Sequence, residues 1–121
     1  MGNFQQLLIW QKAKDLAVSI YSVTEVHEKL AKDFRLKAQM QAASVSIPSN
    51  IAEGDELGSN KQSIRHFRIA KGSTAEIITQ IIIAQEIGYL DAETAQSLIE
   101  KYKHLSLMIT NLINARTPKH P

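Results

Sequence analysis

The chain has 121 residues, 44% of them hydrophobic but only 6% aromatic, with a formal net charge of +2 and no cysteine. Such a length is one domain, burying about two thirds of its unfolded surface in a core that must be aliphatic. The absence of cysteine excludes disulfides, thiolate zinc sites and cysteine nucleophiles and fits a reducing cytoplasm, while the small net charge means that any nucleic-acid role has to come from where the cations sit.

The opening Met1-Gly2-Asn3-Phe4-Gln5-Gln6 has neither the basic region nor the apolar run of a signal peptide, and Gln6 stands where a myristoylation signal has Ser or Thr. No stretch approaches the roughly 20 apolar residues of a membrane span. A cytoplasmic chain with no membrane contact is expected. The first helix is predicted over about residues 7–27, where Ile9, Trp10, Ala13, Leu16, Ala17, Ile20, Tyr21 and Thr24 share one side. Trp10 lies in that apolar stripe and reads as core rather than as a platform for a base. The link over residues 25–32 contains no Gly or Pro and ends at Asp33, a plausible N-cap.

The second helix is predicted over about residues 34–53, with Leu36, Met40, Ala43, Ile47 and Ile51 on one face. Pro48 falls inside it, in the run SVSIPSNIAEG that spans Ser44 to Gly54. A proline there donates no hydrogen bond and crowds the Ser44 carbonyl, at about 3 kcal/mol, so a bend at Pro48 is expected. Two readings of the run stay open. The hydroxyls of Ser44, Ser46 and Ser49 and the amide of Asn50 satisfy the disturbed backbone, with Asn50 at least partly buried; alternatively Asn50 and Glu53 form a binding pair presented at the kink. Ala42, Val45 and Ala52 make the opposite side apolar too, and a helix apolar on two sides is usually buried on two sides.

A turn over residues 54–58 precedes Ser59, which with Gln62 three residues later makes a capping box. The third helix is therefore predicted over about residues 60–87, with Gly88 beyond its end. Its character changes halfway. Lys61, Arg65, Arg68 and Lys71 occur in the first part without an acid, and the first three lie within about 60° on the helix wheel, a stripe that suits sequence-independent phosphate contacts. From Ile77 to Ile87, seven of eleven residues are apolar, more than one face holds. Burial against another subunit is expected, through Ala42, Val45, Ala52, Ile77, Ile83 and Ile87. Gly72, mid-helix on the face of Arg65 and Arg68, suggests a close backbone approach. Asp91 caps a fourth helix over about residues 92–115, and the end from Thr117 to Pro121 should fray.

Catalytic patterns are missing. There is no Glu-x-x-His for a di-iron bundle, no His-Glu-x-x-His, no phosphate-cradling glycine loop and no nucleophile elbow. Glu100 and His104, four residues apart, are one surface pair and neither a metal site nor an acid-base dyad. No cofactor and no enzymatic activity are expected.

Four helices with mostly short connections predict an all-α, antiparallel up-down-up-down bundle. The run SIPSNIAEG, the segment from Phe67 to Ser73 with Glu76 after it, and Ile87-Gly88-Tyr89-Leu90 resemble the four-helix-bundle family of 23S rRNA intervening-sequence proteins, which includes the accessory variability proteins of diversity-generating retroelements. The resemblance extends from Trp10 and Ala13 through Tyr21 to the last helix. It implies a bundle assembled into a ring, commonly of five subunits, with no known catalysis, roles beside RNA, and a protein such as a reverse transcriptase as a candidate partner. This chain departs from many relatives at Gln41, Asp55 and Glu56, and each departure removes positive charge. The reading that results is a non-enzymatic, ring-forming scaffold or adaptor for RNA or an RNA-protein complex, with RNA or DNA held through Lys61, Arg65, Arg68 and Lys71; the alternative is a protein-only oligomeric scaffold with no nucleic-acid role.

Overall fold

Three of the four long helices begin at a side-chain oxygen that takes up a free backbone amide, which is why they start where they do. In the computed structural model, which describes residues 3–57 and 59–118, Asp33 accepts from the Leu36 amide at 3.1 Å, Ser59 from Gln62 at 3.2 Å and Asp91 from Thr94 at 2.9 Å. The helices are α1 (Leu8–Val26), α2 (Glu28–Lys32), α3 (Phe34–Glu56), α4 (Asn60–Glu86) and α5 (Ala92–Arg116), with a 3-10 turn over Phe4–Gln6 ahead of them. No strand occurs among the described residues. At the end of α4 the chain reverses through Gly88 at φ +82°, a conformation open to glycine at little cost.

Side-chain contacts fix the direction of each helix. Gln41 donates to the Thr24 hydroxyl, Lys37 pairs with Glu25 at 2.7 Å, and Tyr89 donates to Asp33. His27 lies 3.5 Å from Asp91. These join the C-terminal ends of α1 and α4 to the N-terminal ends of α3 and α5. At the other end Ser63 donates to the Gly54 carbonyl, and Arg116 approaches Asp55 at 3.4 Å. Consecutive long helices are therefore antiparallel, and α1 closes on α5 to complete an up-down-up-down four-helix bundle. The α1–α5 seam is the thinnest of the four.

The core is aliphatic around two aromatics. Ile20, Met40, Ile47, Ile51, Phe67, Ile81 and Tyr102 are fully buried. Trp10 is half-buried, packed on the core edge and edge-on to Phe4 with ring centroids 5.3 Å apart. Tyr21 departs from its predicted place, because α1 turns it outward, 44% exposed, while Ile20 and Thr24 face in. The predicted link over residues 25–32 contains α2, whose Leu30 is completely buried. One inward residue in five gives no helical period to read.

The Tyr102 hydroxyl is buried with no hydrogen-bond partner among the described residues. Burial pushes this phenol far above the ordinary tyrosine range. Its neutral form therefore stabilises the fold fully below the unfolded value near 10. That contribution is lost as pH rises from there towards the folded value, by about 1.4 kcal/mol per pH unit. Tyr102→Phe is expected to raise stability at pH 7 by about 1 kcal/mol and to remove this alkaline loss. Urea unfolding at pH 7 and pH 11 measures both, and a destabilised Phe variant is the contrary result.

Candidate nucleic-acid interface

Helix α3 runs through Pro48 without interruption, from Phe34 to Glu56, three residues beyond its predicted end. The predicted turn is thus mostly helix, and Gly58 lies outside the described residues, as do Lys119 to Pro121 of the predicted frayed end. Pro48 is buried. The hydroxyls beside it act on other groups than the Ser44 carbonyl. Ser44 donates to the Gln41 carbonyl at 2.8 Å, and Ser46 reaches across to the Ser73 hydroxyl at 2.9 Å.

Asn50 extends this contact into a polar ladder along the α3–α4 seam. Its amide donates to the Ser46 carbonyl at 2.9 Å and to the Ser46 hydroxyl at 3.2 Å. Its carbonyl oxygen lies 3.0 Å from His66 Nδ1, which is also 3.2 Å from a Glu53 carboxylate oxygen. Both oxygens are acceptors, so Nδ1 carries the proton in this arrangement. Asn50, Glu53 and His66 thus orient α4 against α3. Asn50→Leu removes partners from three half-buried polar atoms and is expected to cost about 1–3 kcal/mol. A urea midpoint unchanged by that substitution would contradict the ladder's role.

The side of α4 away from the core carries the cations. Lys61, Arg65 and Arg68 are exposed and line one groove with Gln62, Ile69 and Thr117. Lys71 lies elsewhere: it borders a second groove, between α4 and α5, that shares only Arg68 with the first. None of the four makes an ion pair among the described residues, whereas Lys14, Lys32, Lys37 and Arg116 each hold a carboxylate. Arg116, at the edge of the first groove, is turned inward by Asp55 and lies 5.5 Å from the centre of the Phe67 ring. Asp55 is therefore absorbed by Arg116 and does not oppose the groove cations. Gln41, the uncharged departure, bonds to Thr24.

Gly72 has nothing within 4 Å of the place a Cβ would occupy, so no other element among the described residues comes close there. The close approach is at Gly54, where a Cβ would stand 2.5 Å from Phe67 Cε1 and 3.1 Å from the Ser63 carbonyl oxygen. Ile77, expected at a subunit interface, is completely buried in the chain's own core beside Ile81 and Ala84. Of the other residues in that set, Ala42, Val45, Ile83 and Ile87 are exposed and Ala52 is half-buried. Phe34 and Leu107, at 77% and 64% exposure, are apolar surface that the periodicity did not single out. Glu100 and His104 are exposed on the α1–α5 seam with Lys12 and Asp15. No group of three or more His, Asp or Glu residues suited to a metal occurs among the described residues, and no helix there is long and apolar enough to cross a membrane.

No curated protein matches the chain significantly. The fold is similar to the crystal structure of a protein with unknown function from the S23 ribosomal protein family of Bacteroides thetaiotaomicron. The TM-score is 0.80 at 20% identity, over 88% of this chain and 98% of that one. A family profile described as 23S rRNA-intervening sequence protein matches residues 5–111. With nearly its whole length matched, and with this bundle, the chain belongs to the 23S rRNA-intervening sequence protein family.

Proposed function

We propose that the protein is a non-enzymatic, ring-forming scaffold that binds RNA through the groove of Lys61, Arg65 and Arg68. The observation that carries this reading is the convergence on one groove of three exposed cations, Lys61, Arg65 and Arg68, none in an ion pair among the described residues and with no carboxylate among the residues that line the groove. Unpaired cations lose no internal contact when a phosphate arrives. Among the described residues the groove contains no aromatic ring and Phe67 is buried, so base stacking contributes little and sequence preference is weak. Assembly is supported by Val45, Ile83 and Ile87, each at least 40% exposed on the α3 and α4 surfaces. Five copies, the number common in the family, would repeat the groove around a ring and raise its avidity.

Fluorescence-anisotropy titration with a generic single strand and a duplex at low salt tests the groove, and light scattering tests the assembly. Binding of either nucleic acid by an oligomer is the expected result. An oligomer that binds neither would move the function to a protein-only scaffold, and a stable monomer at micromolar concentration would overturn the ring.

A further inference from the structure

The second groove, between α4 and α5, differs in chemistry from the first. Its floor is apolar, built from Ala75 and Ile78 of α4 and Leu107 of α5, with Gly72 adding depth. Leu107 is 64% exposed although its neighbours Leu105 and Ile109 are buried. The space where a Gly72 side chain would stand is open, leaving room for an incoming apolar side chain. Arg68, Lys71 and Lys103 stand around this floor, none in an ion pair among the described residues, and no carboxylate lines the groove.

We propose that the groove between α4 and α5 docks an acidic amphipathic helix of a partner protein, with apolar side chains on Gly72, Ile78 and Leu107 and carboxylates towards Arg68, Lys71 and Lys103. Helices lie in apolar grooves through side chains at spacings of three and four. From Arg68 to Ile82, another exposed isoleucine of α4, the surface runs about 21 Å at 1.5 Å per residue, matching a docked helix of about four turns. Charge complementarity sets the sign of the partner. A nucleic acid fits the rim but not the floor, because Leu107 and Ile78 give phosphates nothing and offer bases no ring. A second copy of this chain is the competing occupant, and light scattering distinguishes it.

The experiment titrates the full-length protein into labelled peptides of about 14 residues. One set has Leu, Ile or Phe at helical spacing among Glu and Asp, and a second set has the same composition scrambled. Helical-pattern peptides are expected to bind at least tenfold more tightly than scrambled ones. Gly72→Met, which fills the floor, and Leu107→Asn, which makes it polar, should each weaken binding about tenfold, and Lys103→Glu more. The first two variants keep the charge, so their RNA titrations should match the unsubstituted protein, whatever the RNA result is. Absence of binding by every helical-pattern peptide overturns the proposal. Equal binding of scrambled peptides with no effect of Leu107→Asn overturns it in favour of a plain cationic patch. A smaller assembly for Leu107→Asn in light scattering overturns it in favour of a second copy in the groove.

Discussion

Phe67→Ala is expected to lower the unfolding free energy by about 3–5 kcal/mol, a large part of the roughly 5–15 kcal/mol that holds a small domain together. The ring is completely buried. It fills the gap left by Gly54 on α3, and the Arg116 guanidinium lies 5.5 Å from its centre. The same contact makes Gly54→Ala unfavourable, although alanine is worth about 1 kcal/mol over glycine inside an exposed helix. The new methyl would stand 2.5 and 2.9 Å from two ring carbons and 3.1 Å from the Ser63 carbonyl oxygen. The ring is hemmed in by the core, and the Ser63 carbonyl belongs to the α4 backbone. A loss of about 1–3 kcal/mol is expected from such overpacking. Because one cause is shared, Gly54→Ala with Phe67→Leu should cost less than the two single changes added together. Urea denaturation of the four proteins measures this, and a stabilised Gly54→Ala would remove the account of that seam.

Arg65→Glu with Arg68→Glu is expected to abolish nucleic-acid binding while leaving helical content and assembly size unchanged. Both side chains are exposed and make no ion pair among the described residues, so the fold loses nothing it uses. The net charge of +2 becomes negative, and two phosphate contacts turn repulsive. For the unsubstituted protein, three phosphates neutralised per groove give a slope of log affinity against log salt of about −2.7 on duplex and about −2.1 on a single strand. Raising salt fourfold should then weaken duplex binding about 40-fold and single-strand binding about 20-fold. Lys61→Ala should reduce the duplex slope by about one. Binding that ignores both salt and the double substitution would rule the groove out.

Much of the fold was legible because it depends on local rules. Caps at Asp33, Ser59 and Asp91, periodic aliphatic residues and short connections are sufficient for four antiparallel helices. Legibility failed where the signal was too short or where two faces competed. Helix α2 is five residues long with one buried leucine, below any period. In the later half of α4 the isoleucines lie all around the helix, and the sequence does not say which ones this chain buries for itself. The bundle takes Ile77 and Ile81 and leaves Ile82, Ile83 and Ile87 outside.

The candidate site divides in the same way. Helical spacing places Lys61, Arg65 and Arg68 on one side of α4, a property of the sequence alone. That Lys71 borders a different groove follows from where α5 packs, which brings Lys103 and Leu107 beside it. The sequence marks Pro48 and Asn50 as exceptions within a helix. Only the packing of α4 on α3 supplies their partners Ser73 and His66, 27 and 16 residues away from Ser46 and Asn50. Glycine makes the contrast most plainly. Local rules read Gly54 as the start of a turn and Gly72 as the place of a close approach, yet both are interior to helices, and it is Gly54 that receives the Phe67 ring while Gly72 faces open space. A missing Cβ states only that a side chain is absent, and what occupies the space is decided by elements distant in the chain.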